Sequence, residues 1–137
     1  MKSIAFALAV MFSGSAASAE SAEASPSTVR GDFDGDGVMD QATLVQHQRH
    51  VTLTVRLGSA ASPETFDFRV DPAAQDAICT LPATLSTSAS FCSPMDEPLS
   101  GCKELPGKVD LSISDDACDA IHLYWDQDAR RMAWWRL

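Results

Sequence analysis

Val51-Thr52-Leu53-Thr54-Val55-Arg56-Leu57 alternates apolar and polar residues without a break. Successive side chains of a strand point to opposite faces, so this stretch has one face for a core and one for water. Its β-branched content suits a pleated, half-buried strand. Phe66, Phe68 and Val70 alternate with Asp67 and Arg69, and Gly58 to Pro63 makes the turn between the two stretches. Upstream, Ala42, Leu44 and Gln46 alternate with Thr43, Val45 and His47, and polar Gln46 to Arg49 reads as a hairpin tip. Downstream the pattern returns at Val109, Leu111 and Ile113, and at Ile121, Leu123 and Trp125. Met132 to Trp135 follows a turn at Asp126 to Ala129. The expected fold is mostly β: a small antiparallel sheet or sandwich of about six strands built from hairpins. It has at most one short helix, which Asp71-Pro72 can cap over Ala73 to Ile78. No repeat of roughly 20–50 residues is present, which excludes a solenoid within this chain.

The chain has 137 residues, with 10 basic and 19 acidic side chains and a net charge of −9. This length fits one domain. The acidity excludes nucleic acid as a partner, because phosphate binding needs clustered Lys and Arg. It equally disfavours docking on an anionic membrane. At the start, Lys2 precedes the apolar run Ile4 to Phe12, and Ala17-Ser18-Ala19 satisfies the small-residue cleavage rule. Residues 1–19 therefore read as a signal peptide cut before Glu20, and the run is too short to cross a membrane. No later run is long enough to span, so no membrane insertion is expected. Residues 20–28, polar and Ser/Ala-rich, read as a flexible leader, and 29–137 as the domain. The expected destination is the periplasm or the medium.

Cys79, Cys92, Cys102 and Cys118 all follow the signal peptide. An even count in an exported chain implies two disulfides. Zinc needs close ligand pairs, and the spacings here are 13, 10 and 16. Four cysteines allow three pairings. Cys92–Cys102 is favoured because Pro94, Pro98 and Gly101 make a compact loop between them, which leaves Cys79–Cys118. Residues 79–108 then form a stapled loop region with room for one short strand.

The most specific chemistry lies just upstream of the first alternating stretch. Asp32, Asp34, Asp36 and Asp40 stand at positions 1, 3, 5 and 9 of a loop that also contains Gly35 and Gly37. Calcium takes six to eight hard oxygen ligands, held flexibly. Alternate side chains of a tight loop can share one cation, Gly37 permits the bend, and Val38 offers its backbone carbonyl. Four carboxylates this close repel one another without a cation. Magnesium suits such an all-protein cage poorly. The EF-hand pattern fails, because its twelfth position, a bidentate Glu, is Thr43 here and the flanks lack helical stripes.

Gly31 to Asp40, followed by Gln41-Ala42-Thr43-Leu44, resembles the calcium loop of FG-GAP/VCBS-type repeats, as in integrin-like β-propellers. The resemblance covers roughly residues 29–46. It implies that calcium braces neighbouring strands through Asp32, Asp34, Asp36, the Val38 carbonyl and Asp40. A propeller needs several such repeats, and this chain has one. As a whole the chain resembles small exported bacterial proteins with one such loop and a Tyr-Trp-Asp…Trp ending, a group without an established activity.

Other chemistry has plainer readings. His47 and His50 sit at the hairpin tip as polar turn residues, and His122 as a strand residue. Asp115-Asp116 and Asp126/Asp128 fall in turns, where Asp is common for backbone reasons. No G-x-S-x-G elbow supports a nucleophile. Trp134 and Trp135 must face opposite sides of their strand, and with Arg130 and Arg131 they offer a contact point for a protein or a glycan. The leading reading is an exported, disulfide-stapled calcium-binding β-domain with a structural or binding role. The alternative is a protein- or carbohydrate-binding or inhibitor module using the Trp/Arg hairpin, and the third is a calcium-dependent hydrolase.

Overall fold

The computed structural model describes residues 25–137, so the expected signal peptide, 1–19, and leader residues 20–24 lie outside the described residues. Among the described residues, eight antiparallel strands form two four-stranded sheets. The first sheet runs β1 (Ser27–Gly31), β2 (Asp40–Gln46), β3 (His50–Arg56) and β4 (Glu64–Arg69). The second runs β5 (Thr84–Ala89), β6 (Val109–Ser114), β7 (Ile121–Asp126) and β8 (Arg131–Trp135). In both sheets the spatial order equals the chain order.

Alternation decides which face of each strand is inside. Ala42 and Leu44 of β2, Val51, Leu53 and Val55 of β3, and Phe68 of β4 are buried. Leu85 of β5, Leu111 and Ile113 of β6, Ile121 and Leu123 of β7, and Met132 of β8 meet them from the other sheet in one continuous core. The register pairs like with like, as in Leu44↔Leu53 and Leu111↔Leu123. The two sheets are thus the layers of a sandwich that share one apolar interior.

Polar side chains close the seams between the sheets. The Gln46 amide donates to the Ala83 carbonyl at 2.7 Å and accepts from the Ala83 N–H at 2.8 Å. The Glu64 carboxylate accepts from the Met132 N–H at 3.0 Å. Phe68 meets Trp134 edge-on, with ring centroids 5.9 Å apart. Lys108 is buried, donating from Nζ to Asp110 Oδ1 at 3.1 Å and to Ser90 Oγ at 2.8 Å, so its charge is matched where water cannot reach.

Both expected disulfides are formed, Cys79–Cys118 and Cys92–Cys102. The fold class is as expected, and the structure sharpens two details. The strands number eight rather than about six: β1 begins at Ser27, inside the expected leader, and β5 occupies the stapled loop region. The short helix over Ala73 to Ile78 does not form, and those residues make turns. Asp71 does start a turn, accepting from the Ala73 N–H at its carboxylate and from the Ala74 N–H at its carbonyl. Ile78 then pairs with Val70, and Arg136 takes the Ala77 carbonyl at 2.6 Å, so the chain is drawn back before a second turn.

Candidate metal centre

Gly31 and Asp40 are register partners, so residues 32–39 are the loop of the β1–β2 hairpin. Gly35 and Gly37 hold φ of +80° and +82°, the left-handed backbone that glycine adopts without strain. Each carboxylate has a structural duty. Asp32 accepts from the Gly35 N–H at 2.7 Å and the Gly37 N–H at 2.9 Å. Asp34 accepts from the Asp36 N–H at 3.0 Å, and Asp36 from the Val38 N–H at 2.7 Å. Asp40 is 1% exposed and accepts from the Phe33 N–H at 2.7 Å and the Gly58 N–H at 2.8 Å.

Phe33 holds the loop in place from within. It is wholly buried in the shared core, while its neighbours Asp32 and Asp34 turn to the loop interior. The loop also touches the second sheet. The Asp32 carbonyl accepts from the Val109 N–H at 3.0 Å, and the Asp34 carbonyl from Gln127 Nε2 at 2.9 Å. A methyl group on Gly31 would collide with the Val109 side chain, so glycine lets the two sheets approach closely here.

Asp32, Asp34 and Asp40 each place one carboxylate oxygen so that all three lie within 4.8 Å of one another, close enough for one cation to bind all three. Asp36 lies outside this group, exposed, with its carboxyl held below the usual range by the Val38 N–H and by Ser59. Val38 is 45% exposed and lies over Gly58. The Asp34 carboxyl is pushed up to about 6, chiefly by burial and then by the charges of Asp40 and Asp36, against the Asp36 N–H, which lowers it. A group so raised resists ionisation until a cation relieves it.

The other expected residues are dispersed. His47 and His50 stack at the hairpin tip with centroids 4.6 Å apart, because the turn brings together rings that a straight strand would separate. His122 stacks under Trp135 at 4.3 Å, and burial pushes its imidazole down despite the opposing charge of Asp110. Trp134 and Trp135 do face opposite sides: Trp134 pairs with inward Leu123 and is 39% exposed, Trp135 with half-buried His122. Arg130 adopts a left-handed turn conformation and Arg131 is exposed at the start of β8. Asp126 accepts from the Asp128 and Ala129 N–H groups, and Asp115 accepts four backbone N–H groups, so these acids serve the backbone. The sequence reading did not single out Phe33, Gly58 or Gln127, which hold the loop through the core, a backbone amide and a carbonyl. Only Phe33, apolar among four acids, carried a signal.

No family model, curated protein or solved structure matches the chain. The described residues include no helix long and apolar enough to cross a membrane.

Proposed function

We propose that this is an exported calcium-binding β-domain whose metal braces the two sheets at one end, with a structural or binding role toward a protein or glycan. The reading rests on one observation: three Asp oxygens mutually within 4.8 Å in a loop hydrogen-bonded to both sheets. Hard, anionic oxygen donors in a flexible loop suit calcium. Asp36 and the Val38 carbonyl are the further ligands we assign, as in the FG-GAP/VCBS-type loops that this segment resembles. Two disulfides fit an oxidising, extracytoplasmic compartment, in keeping with the signal peptide read from the sequence.

The test is thermal unfolding of the mature chain with chelator, with calcium and with magnesium, alongside calorimetric titration. Calcium at about 100 times its Kd stabilises the native state by about 2.7 kcal/mol, a Tm rise on the order of 10 °C. Asp34→Asn should lose this response, whereas His47→Ala should keep it. No heat of calcium binding at millimolar concentration would overturn the proposal.

The response should also depend on pH. Without metal, Asp34 has its folded pKa raised above the ordinary 3.8. The stability it contributes is full below that value and is lost as pH rises through about 6. Calcium needs the ionised carboxylate, so the gap in Tm between calcium and chelator should widen from about pH 5 to about pH 7.

A further inference from the structure

The Cys79–Cys118 disulfide lies against a cavity of about 520 Å³, lined also by Pro72, Gln75, Asp116, Asp119 and Arg136. Cys118 is exposed and Cys79 half-buried, and both line the cavity. The Arg136 guanidinium donates from Nη2 to Cys79 Sγ at 3.6 Å. Its Nη1 is fixed by the Ala77 carbonyl at 2.6 Å and the Gln75 carbonyl at 3.4 Å, so backbone positions the charge beside the sulfur. Below the bond, the Asp115 carboxylate accepts the backbone N–H groups of Cys79, Thr80, Ala117 and Cys118. Both cysteine backbones are therefore anchored to one carboxylate, and breaking the S–S bond leaves them in register. Cys92–Cys102 has a different setting: both of its residues are half-buried, whereas Cys118 is exposed and Cys79 has the Arg136 guanidinium at its sulfur.

We propose that Cys79–Cys118 is a thiol–disulfide exchange site whose co-reactant is a thiol carrying no second negative charge. An incoming thiolate attacks Cys118 Sγ and forms a mixed disulfide, and the S–S bond breaks with its electron pair on Cys79 Sγ. Arg136 stabilises that leaving thiolate, which speeds departure because a thiol of lower pKa leaves faster. A second thiolate then attacks the mixed disulfide, releasing the oxidised co-reactant and leaving Cys118 reduced. Two electrons pass from two thiols to the protein disulfide. Asp116 and Asp119 line the approach, so an anionic thiol is repelled and a cationic one attracted.

The test uses the mature chain under native conditions. Cysteamine, a cationic thiol, and 2-mercaptoethanesulfonate, an anionic one, are compared at equal thiolate concentration, with acid quench, alkylation and peptide mapping. Cys79 and Cys118 should be labelled before Cys92 and Cys102, the mixed disulfide should sit on Cys118, and cysteamine should react faster. Asp116→Asn with Asp119→Asn should narrow that preference. Arg136→Gln should slow opening about threefold, the effect of roughly one pKa unit at a slope near 0.4–0.5, and Arg136→Lys should restore it. Near-ultraviolet circular dichroism should persist after selective opening. Earlier or simultaneous opening of Cys92–Cys102, a mixed disulfide on Cys79, or loss of the folded spectrum on opening overturns the proposal. Those three readouts use the wild-type chain and stand even where an Arg136 variant fails to fold.

Discussion

Phe33→Ala is expected to destabilise the domain by about 3–5 kcal/mol, the usual cost of emptying a fully buried aromatic site. Phe33 is wholly buried, within a core cluster to which both sheets contribute. Its loss leaves a cavity between them, where collapse is limited by the disulfides and by the strand ladders. The same change should weaken calcium binding, although the ring is no ligand. Asp32 and Asp34 flank Phe33, and its N–H fixes the Asp40 carboxylate at 2.7 Å. Once the ring no longer pins the backbone, the three oxygens must be ordered by the cation itself, which costs conformational entropy. Urea unfolding in chelator and in saturating calcium checks both effects. The first predicts a lower midpoint in chelator, and the second a smaller calcium-induced gain than in the wild type. An unchanged gain would separate the aromatic anchor from the loop.

Asp115→Ala comes next in size, at about 3–5 kcal/mol. Asp115 is 7% exposed and accepts the N–H groups of Ala117 and Cys118 at 2.9 and 3.0 Å and of Cys79 and Thr80 from across the disulfide. Removing the carboxylate strands four donors, at about 1–3 kcal/mol for each that water does not reach. Burial by itself would raise this carboxyl, but the four backbone donors outweigh it and hold it below the usual range. A lowered folded pKa gives stability that is present above the ordinary carboxylate value and lost as pH falls through the folded one. The difference between wild type and Asp115→Ala should therefore be full at neutral pH and shrink in acid. Chemical unfolding with both disulfides intact, repeated across pH, measures it. A flat difference would mean that the carboxylate acts by packing rather than by charge.

Legibility followed the physics of each segment. The β3 run Val51, Leu53 and Val55 was plain because period-two burial leaves a periodic mark. The disulfide pairing was legible because Pro94, Pro98 and Gly101 shorten the path between Cys92 and Cys102. In β5, Leu85 is the one buried residue of Thr84–Ala89, so no pattern announces the strand, and pairing with β6 decides it. β1 was hidden for a similar reason: it is an edge strand of small and polar residues whose partner is β2. The turn at 73–78 lost its helical prospect to Arg136, roughly sixty residues away in sequence. Of the four loop acids whose spacing suggested a shared cation, Asp32, Asp34 and Asp40 converge and Asp36 lies outside the group, and the backbone duties of Asp40 depend on Gly58, which no local pattern reveals.

Because each sheet keeps its strands in chain order, every ladder joins elements that are adjacent in sequence. Apart from β5 and β6, whose connection spans residues 90–108, each hairpin can therefore close over a short stretch of chain, with little entropy lost before the first contacts form. The half spanning 27–70 completes its ladders without the half spanning 84–135. Pairing between neighbours in sequence favours faster folding than the non-local pairing that makes many all-β chains slow. A chain synthesised from its N-terminus can thus assemble one meander before the next has emerged. Joining the two halves is the long-range step, and the Asp-rich loop, with contacts to both, lies where that step is completed.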